Sequence, residues 1–391
     1  MSGPSSDKPM RVLVTGGDHT GSLAAVRGLR AAGYEPWVGA VTPRAYAARS
    51  RAAAGTVALP DSGSDPAAFC ERLGATVERL GARVVIPGTE QDLIAISGST
   101  DSALRSAAGV PQPDIVLRIT DKSDVNRLAA ESGLKVPETK IVGGDRPLDV
   151  ATAQFPLIVK PVRSARARPD GSLTRIDARL VRSADQLRDL IHGLGNGEWL
   201  LQSQLRGQLG AVCGVAVGGR IVTAVHQVSH RVWPPGAGVS AFAQTVPVDP
   251  ALQSGVEQLI EALSWSGIFQ AQFIHTDQGS HLIDVNPRVY GSLALATAAG
   301  INLPAVWAAL VSGSRFEPQA YRVGVCYRSD ELDVRALLHL ALHGRPLDAL
   351  KGMLPHRHTT HSVVMLTDPA PGLTSLGKLA RHARRALGPR P

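Results

Sequence analysis

Cysteine is scarce in this 391-residue chain: Cys70, Cys213 and Cys326 stand far apart and are odd in number. That spacing excludes a disulfide framework and a thiolate zinc site, and it points to a reduced, cytoplasmic protein. Long apolar runs are also missing. No stretch approaches the roughly 18 apolar residues a membrane span needs, and Met1 to Lys8 reads as a flexible leader without an apolar signal core. Aromatic residues make up 4% of the chain, and no helix-turn-helix, zinc-finger or RNA-binding signature accompanies its net charge of +8. Nucleic acid is therefore not the expected partner. A basic cleft for phosphates and carboxylates accounts for the imbalance equally well. Only seven of the 41 basic residues are lysine, so a lysine inside a motif stands out.

What the chain does contain begins with a β-α-β unit. Arg11 to Thr15 is an apolar, β-branched run, Gly16-Gly17 turns it, a helix is expected over Leu23 to Ala32 with Gly33 as its stop, and Trp37 to Val41 follows as a strand. The glycines at 16, 17 and 21 miss the dinucleotide fingerprint, so the turn either meets a ligand or serves close packing. Val57 to Pro60, a helix from Pro66 to Gly81, and Val84 to Glu90 continue a parallel sheet. Ligands in such sheets lie beyond the carboxyl ends of the strands, which puts Thr15 to Ser22 and Gly88 to Asp92 along one crevice. There Glu90 or Asp92 can meet a substrate amine, or Glu90 can cap the helix that follows.

The most informative stretch is His281 to Arg288, read with Gln270-Ala271-Gln272-Phe273 upstream. Alternation places Asp284 and Asn286 on one strand face, and a turn at Asp277-Gln278-Gly279 pairs the two runs so that Gln272 approaches Asp284. A carboxylate and carboxamides suit a hard ion such as magnesium, and Arg288 offers a forked charge for a phosphate oxygen. The alternative is a solvated hairpin. Phe155 to Pro161 is a buried apolar strand ending in Lys160, an ammonium at a sheet rim that can hold phosphate oxygens. Arg163, Arg166 and Arg168 follow, either clamping an anion or forming a solvated loop. Val212 to Val217, Gly218-Gly219 and Ile221 to Val228 form a hairpin. If its second strand runs on, His226 and His230 flank Val228 on one face; no third ligand at usable spacing makes them a zinc site. Arg231 is assigned to a substrate carboxylate, with the Gly-rich loop 234–240 around the acceptor.

Asp284-Val285-Asn286-Pro287-Arg288 resembles the magnesium motif of the ATP-grasp superfamily, in the branch that includes biotin carboxylase and carbamoyl phosphate synthetase. Three other passages are similar to that family in order and spacing. Asp121-Lys122 with its helix and Gly133 to Thr139 places Lys122 as the first nucleotide lysine, and Lys160 takes the place of the second. Trp199 to Gly207 matches the hinge that holds adenine through its backbone, which implicates Gln202, Ser203 and Leu205. Gln272 stands where the family has a metal-binding Glu, and Ser203 where an acid is common. The resemblance covers residues 10 to 310. It implies an α/β chain with the ATP-grasp fold: a Rossmann-like pre-ATP-grasp domain over 1–115, the nucleotide-binding and catalytic region over 116–310, and a small C-terminal α+β extension over 311–391.

The implied cofactors are ATP and Mg, the latter on Asp284, Asn286 and Gln272. The implied chemistry is phosphorylation of a small-molecule carboxylate and attack by an amine, with amino acids or small peptides as substrates. Lys160, Arg288 and Arg231 are the expected catalytic residues. A degenerate nucleotide-binding protein without turnover and a carboxylate or bicarbonate kinase are the alternatives. A homodimer is left open. In the extension, Tyr321 to Tyr327 reads as a strand, Leu332 to His343 as an amphipathic helix, Lys378 to Pro391 as a basic tail, and His356, His358 and His361 as an exposed loop cluster.

Overall fold

The first four strands form a parallel sheet in the order Gly55–Ala58, Glu35–Ala40, Arg11–Val14, Val84–Ile86. The computed structural model describes residues 8–143, 153–163, 165–167, 173–175, 178–194, 197–354 and 356–375. Parallel neighbours need crossover helices, which Thr20–Ala31 and Pro66–Leu80 supply. The first helix starts three residues before the expected Leu23 and ends ahead of Gly33, whose φ of 86° suits a stop glycine. The strand expected to run from Val84 to Glu90 stops at Ile86, because Thr89 and Asp92 form a reciprocal capping box on the helix Glu90–Ser97. Thr89 and Asp92, rather than Glu90, therefore cap that helix.

A second, antiparallel sheet runs Thr139–Val142, Trp199–Ser203, Leu157–Pro161, Arg179–Val181. Val142, Val159, Trp199 and Leu201 pack one side of it against Leu187 of the helix Ala184–Leu194. The side chain of Arg166, all of Arg168 and the tail from Lys378 onward lie outside the described residues.

The largest sheet has seven strands: Gly279–Asn286, Gly267–Thr276, Gln208–Val217, Arg220–Trp233, Val239–Thr245, Cys326–Arg328 and Thr359–His361. Its two-glycine turn is as expected, with positive φ of 54° at Gly218 and 80° at Gly219. Helix Pro250–Ala262 covers one face through Leu252, Val256, Leu259 and Ile260. The other face shares a core with the parallel sheet, in which Val12, Leu23, Val225, Ile268, Leu293 and Trp307 are all buried. That shared core holds the two sheets together.

The strand expected over Tyr321 to Tyr327 contracts to Cys326–Arg328, since Gly324 turns the chain with φ of 85° and Tyr321 instead donates its hydroxyl to the Val246 carbonyl. The helix expected over Leu332 to His343 runs Asp330–Leu342 and is followed by Pro346–Met353. Beyond them the chain returns to the first unit: Asp368 accepts hydrogen bonds from Arg27 Nε at 2.9 Å and Ser50 Oγ at 2.6 Å. Among the described residues no helix is long and apolar enough to cross a membrane.

Candidate functional site

The site is assembled where the four-stranded antiparallel sheet meets the antiparallel part of the seven-stranded sheet. Gln270 faces Asn286 and Gln272 faces Asp284 across the hairpin, but Phe273 pairs with Leu282, so Ile283 is an extra residue in its strand. Such a bulge leaves a backbone group outside the ladder. The Ile283 carbonyl is used instead by Lys160, whose Nζ donates to it at 2.6 Å. Lys160 sits near the end of Leu157–Pro161 and is only 6% exposed. Burial lowers its pKa to about 8; Asp284 pulls upward and Lys122 pushes down.

Lys122 is brought to the same place by its backbone. Its N–H donates to the Val162 carbonyl at 2.9 Å, which ties the start of the helix Lys122–Glu131 to the end of the Lys160 strand. Asp121 caps that helix by accepting from the N–H groups of Ser123 and Asp124, and pairs with Arg163 at 3.2 Å. Lys122 Nζ then lies 3.4 Å from Asp284 Oδ1. Burial alone would raise the Asp284 pKa, but Lys122 and Lys160, with a contribution from Arg288, outweigh it and leave the carboxyl below its ordinary value. Asp284 Oδ1 is buried and makes no hydrogen bond among the described residues.

Asn286 Nδ2 donates to Gln270 at 3.3 Å, and Arg288 donates to Asn286 Oδ1 at 3.2 Å and to the Val289 carbonyl at 2.8 Å. Three cationic side chains, Lys122, Lys160 and Arg288, thus surround one carboxylate. A cluster of cations such as this suits a polyanion. Among the described residues no cluster of three His, Cys, Asp or Glu side chains forms a metal cage. The donor set of one carboxylate and nearby amides fits an ion that takes its remaining ligands from phosphates and water.

Gln202, Ile158, Leu200 and Lys160 lie on one face of the second sheet by register. Gln202 is buried and donates to Thr139 Oγ1 at 2.9 Å, the Ser203 N–H donates to the Glu138 carbonyl at 3.1 Å, and Leu205 lies just past the strand, partly exposed. Arg231 is not brought to this group. Its Nε and Nη2 meet the Asp333 carboxylate at 2.6 and 3.0 Å, and its guanidinium lies 4.5 Å over the Phe242 ring.

His226 and His230 also part company: irregular pairing between Ser229 and Arg231 sends His230 to the exterior beside Gln244, while His226 is buried against Gln253. In the crevice of the parallel sheet, Asp92 is buried and accepts from Thr15 at 2.7 Å and Ser62 at 2.6 Å, so it is occupied by the protein itself.

Two relationships were not foreseen. Gly21 lies against the Tyr290 backbone, where a Cβ would come within 2.6 Å of the carbonyl oxygen, so the glycine packs the first helix onto the segment after Arg288. Gln227 Nε2 donates to Ser292 at 2.9 Å. Polar residues inside apolar runs were the only signals for this second pair.

Residues 196–331 match a family model described as ATP-grasp in the biosynthetic pathway with Ter operon. The carbamoyl phosphate synthase large chain of Vibrio cholerae serotype O1 is 24% identical over 265 residues, covering 63% of this chain and 24% of that one. The corresponding chain of Vibrio vulnificus is 24% identical over 231 residues, or 55% and 21%. The match therefore spans about a quarter or less of the length of these curated relatives.

Among solved structures, the L-amino acid ligase from Bacillus licheniformis superposes with a TM-score of 0.60 at 14% identity, covering 78% of this chain and 75% of that one. The N5-carboxyaminoimidazole synthetase of Staphylococcus aureus, complexed with ADP, gives 0.60 at 14%, with 80% of each chain covered. The biotin carboxylase domain of Hydrogenobacter thermophilus 2-oxoglutarate carboxylase, in complex with MgADP, ADP and bicarbonate, gives 0.57 at 14%, covering 82% and 74%. At these identities the likeness is one of fold.

Proposed function

We propose that the chain is a member of the ATP-grasp superfamily and, on that premise, an ATP-dependent ligase joining a small carboxylate to an amine through an acyl phosphate. The observation that carries this reading is the convergence of Lys122, Lys160, Asp284, Asn286 and Arg288 at one junction of two sheets. Phosphoryl transfer asks for positioning and for neutralisation of spreading charge, with no covalent nucleophile from the protein. Lys160 and Lys122 hold phosphate oxygens as point charges, and Arg288 offers a planar fork at the transferring group. The substrate carboxylate attacks the γ-phosphorus, ADP leaves, and the amine then displaces phosphate from the acyl carbon. Buried, partly dehydrated cations are worth more there than in water.

Asp284 would hold magnesium first, through its carboxylate, whose Oδ1 now faces Lys122 at 3.4 Å, with Asn286 and Gln272 as neutral oxygen donors. When bound, the ion would neutralise charge on the β- and γ-phosphates. Gln272 adds an oxygen but no second negative charge, which favours one ion over two.

The test is ADP release measured against a panel of amino acids and dipeptides, for the wild type and Asp284→Ala. Turnover that requires a carboxylate and an amine together, and that collapses in the variant, supports the reading. Tight MgADP binding without turnover on any pair indicates a nucleotide-binding protein instead. ADP release with a carboxylate alone indicates a kinase.

A further inference from the structure

A cavity lies on the face of the seven-stranded sheet opposite Asp284. Moving across the strands from Asp284, the same-face neighbours are Gln272, Ala211, Gln227 and Thr245. Gln244 is one residue out of step with Thr245, so it, Phe242 and Phe242's partner Arg231 take the other face. Between that face and the helix Pro346–Met353 is a cavity of about 390 Å³, lined by His230, Arg231, Phe242, Gln244, Lys351 and His356 among others. This is within the usual size range of small-molecule sites.

Its charges do not balance. Asp333, 1% exposed, is shared between Arg231 at 2.6 Å and Arg328 at 3.3 Å. Asp333 and Arg328 stand behind the lining; Asp348, the acid within it, is engaged by Arg345 at 2.8 Å. Lys351 adds an ammonium to the same wall. Among the described residues, two guanidiniums and one ammonium against the Asp333 carboxylate leave two positive charges in excess.

The arginines are also held in place. Both donate to the Gly352 carbonyl, at 3.3 and 3.0 Å, and both lie over the Phe242 ring, at 4.5 and 5.5 Å. The His356 and His230 rings stand 5.0 and 5.9 Å from the same ring. Cations fixed in advance lose little freedom when an anion arrives.

We propose that this cavity binds a compact organic dianion, either a dicarboxylate or a phosphate monoester, at a site distinct from the one around Lys160 and Asp284. The strand Arg220–Trp233 connects the two, presenting Gln227 to the Asp284 face and Arg231 to the cavity.

Calorimetric titration of the full chain with succinate and with glycerol 3-phosphate, at constant ionic strength and with or without saturating MgADP, tests this. Sub-millimolar binding of either probe is expected, unaffected by MgADP. The probe that binds identifies the ligand class. Lys351 is exposed, so Lys351→Gln is expected to fold normally, to weaken the probe about tenfold or more, and to leave MgADP affinity unchanged. Binding of neither probe overturns the proposal. So does binding that Lys351→Gln leaves intact, or binding abolished by MgADP, which would locate the anion among Lys122, Lys160 and Arg288. The MgADP titration reads the nucleotide site separately, so failure here leaves the proposed ligase activity standing.

Discussion

Lys160 Nζ lies 2.6 Å from the carbonyl oxygen of Ile283, 123 residues away, and this contact fastens the four-stranded sheet to the seven-stranded one at the candidate site. The β-bulge that frees the carbonyl also sets Asp284 opposite Gln272. Charge and sheet geometry are thus coupled at one residue.

Replacing Lys160 with Met preserves much of the buried stem and removes the charge. Turnover is expected to fall by about 10² or more, as when a transition-state donor is lost. ADP-release kinetics on the variant check this, with urea denaturation to show that it remains folded. A turnover within threefold of wild type would exclude Lys160 from phosphate binding.

The depressed pKa of Lys160 predicts a pH effect with a definite sign. Its charged form is the one that attracts phosphate, so nucleotide affinity should be flat near pH 7 and decline as pH rises through about 8. Folding responds in the opposite direction. The unfolded chain keeps this proton up to the ordinary 10.5, so between about 8 and 10.5 the group makes stability rise with pH. Calorimetric MgADP affinities from pH 6.5 to 9.5, with Lys160→Arg for comparison, should show the decline in the wild type alone.

Asp284→Asn separates metal binding from charge balance. Without that carboxylate, Lys122 and Lys160 lose the anion they face. ATP affinity in the presence of a chelator is expected to hold or increase, while the enhancement produced by added magnesium shrinks. Parallel titrations of wild type and variant with and without magnesium decide it; an undiminished magnesium response contradicts the assignment of Asp284.

Asp333→Ala strands two guanidiniums in a largely buried setting. Breaking such a cluster by removing one partner costs about 3 kcal/mol or more. Urea unfolding should show the loss as a lower midpoint, and a change under 1 kcal/mol would mean that the arginines find water instead.

Gly21→Ala tests the contact between the first helix and the segment after Arg288. The added methyl would press on the Tyr290 backbone, which has no flexible end to yield. A destabilisation of about 1–3 kcal/mol is expected, accompanied by reduced turnover, since Arg288 lies two residues before Tyr290.

Much of the molecule is legible from local pattern. Period-2 alternation announces the Gln272–Asp284 hairpin, and Gly218-Gly219 announces its neighbour, because side-chain direction and positive φ are properties of a few adjacent residues. The sequence features at Lys160 and at Asp284 to Arg288, with the family resemblance that adds Lys122, likewise suggest a polyanion and an ion. Tertiary structure alone decides how those charges are used. The bulge at Ile283 depends on strand register, and the Val162 carbonyl that seats Lys122 belongs to another element. Arg231 shows the reason most plainly: whether a guanidinium meets substrate or Asp333 depends on the carboxylate that folding places beside it, 102 residues along the chain, and on an irregularity that turns the strand there. Spacing in sequence describes neighbours on one strand, whereas burial and partnership arise between strands.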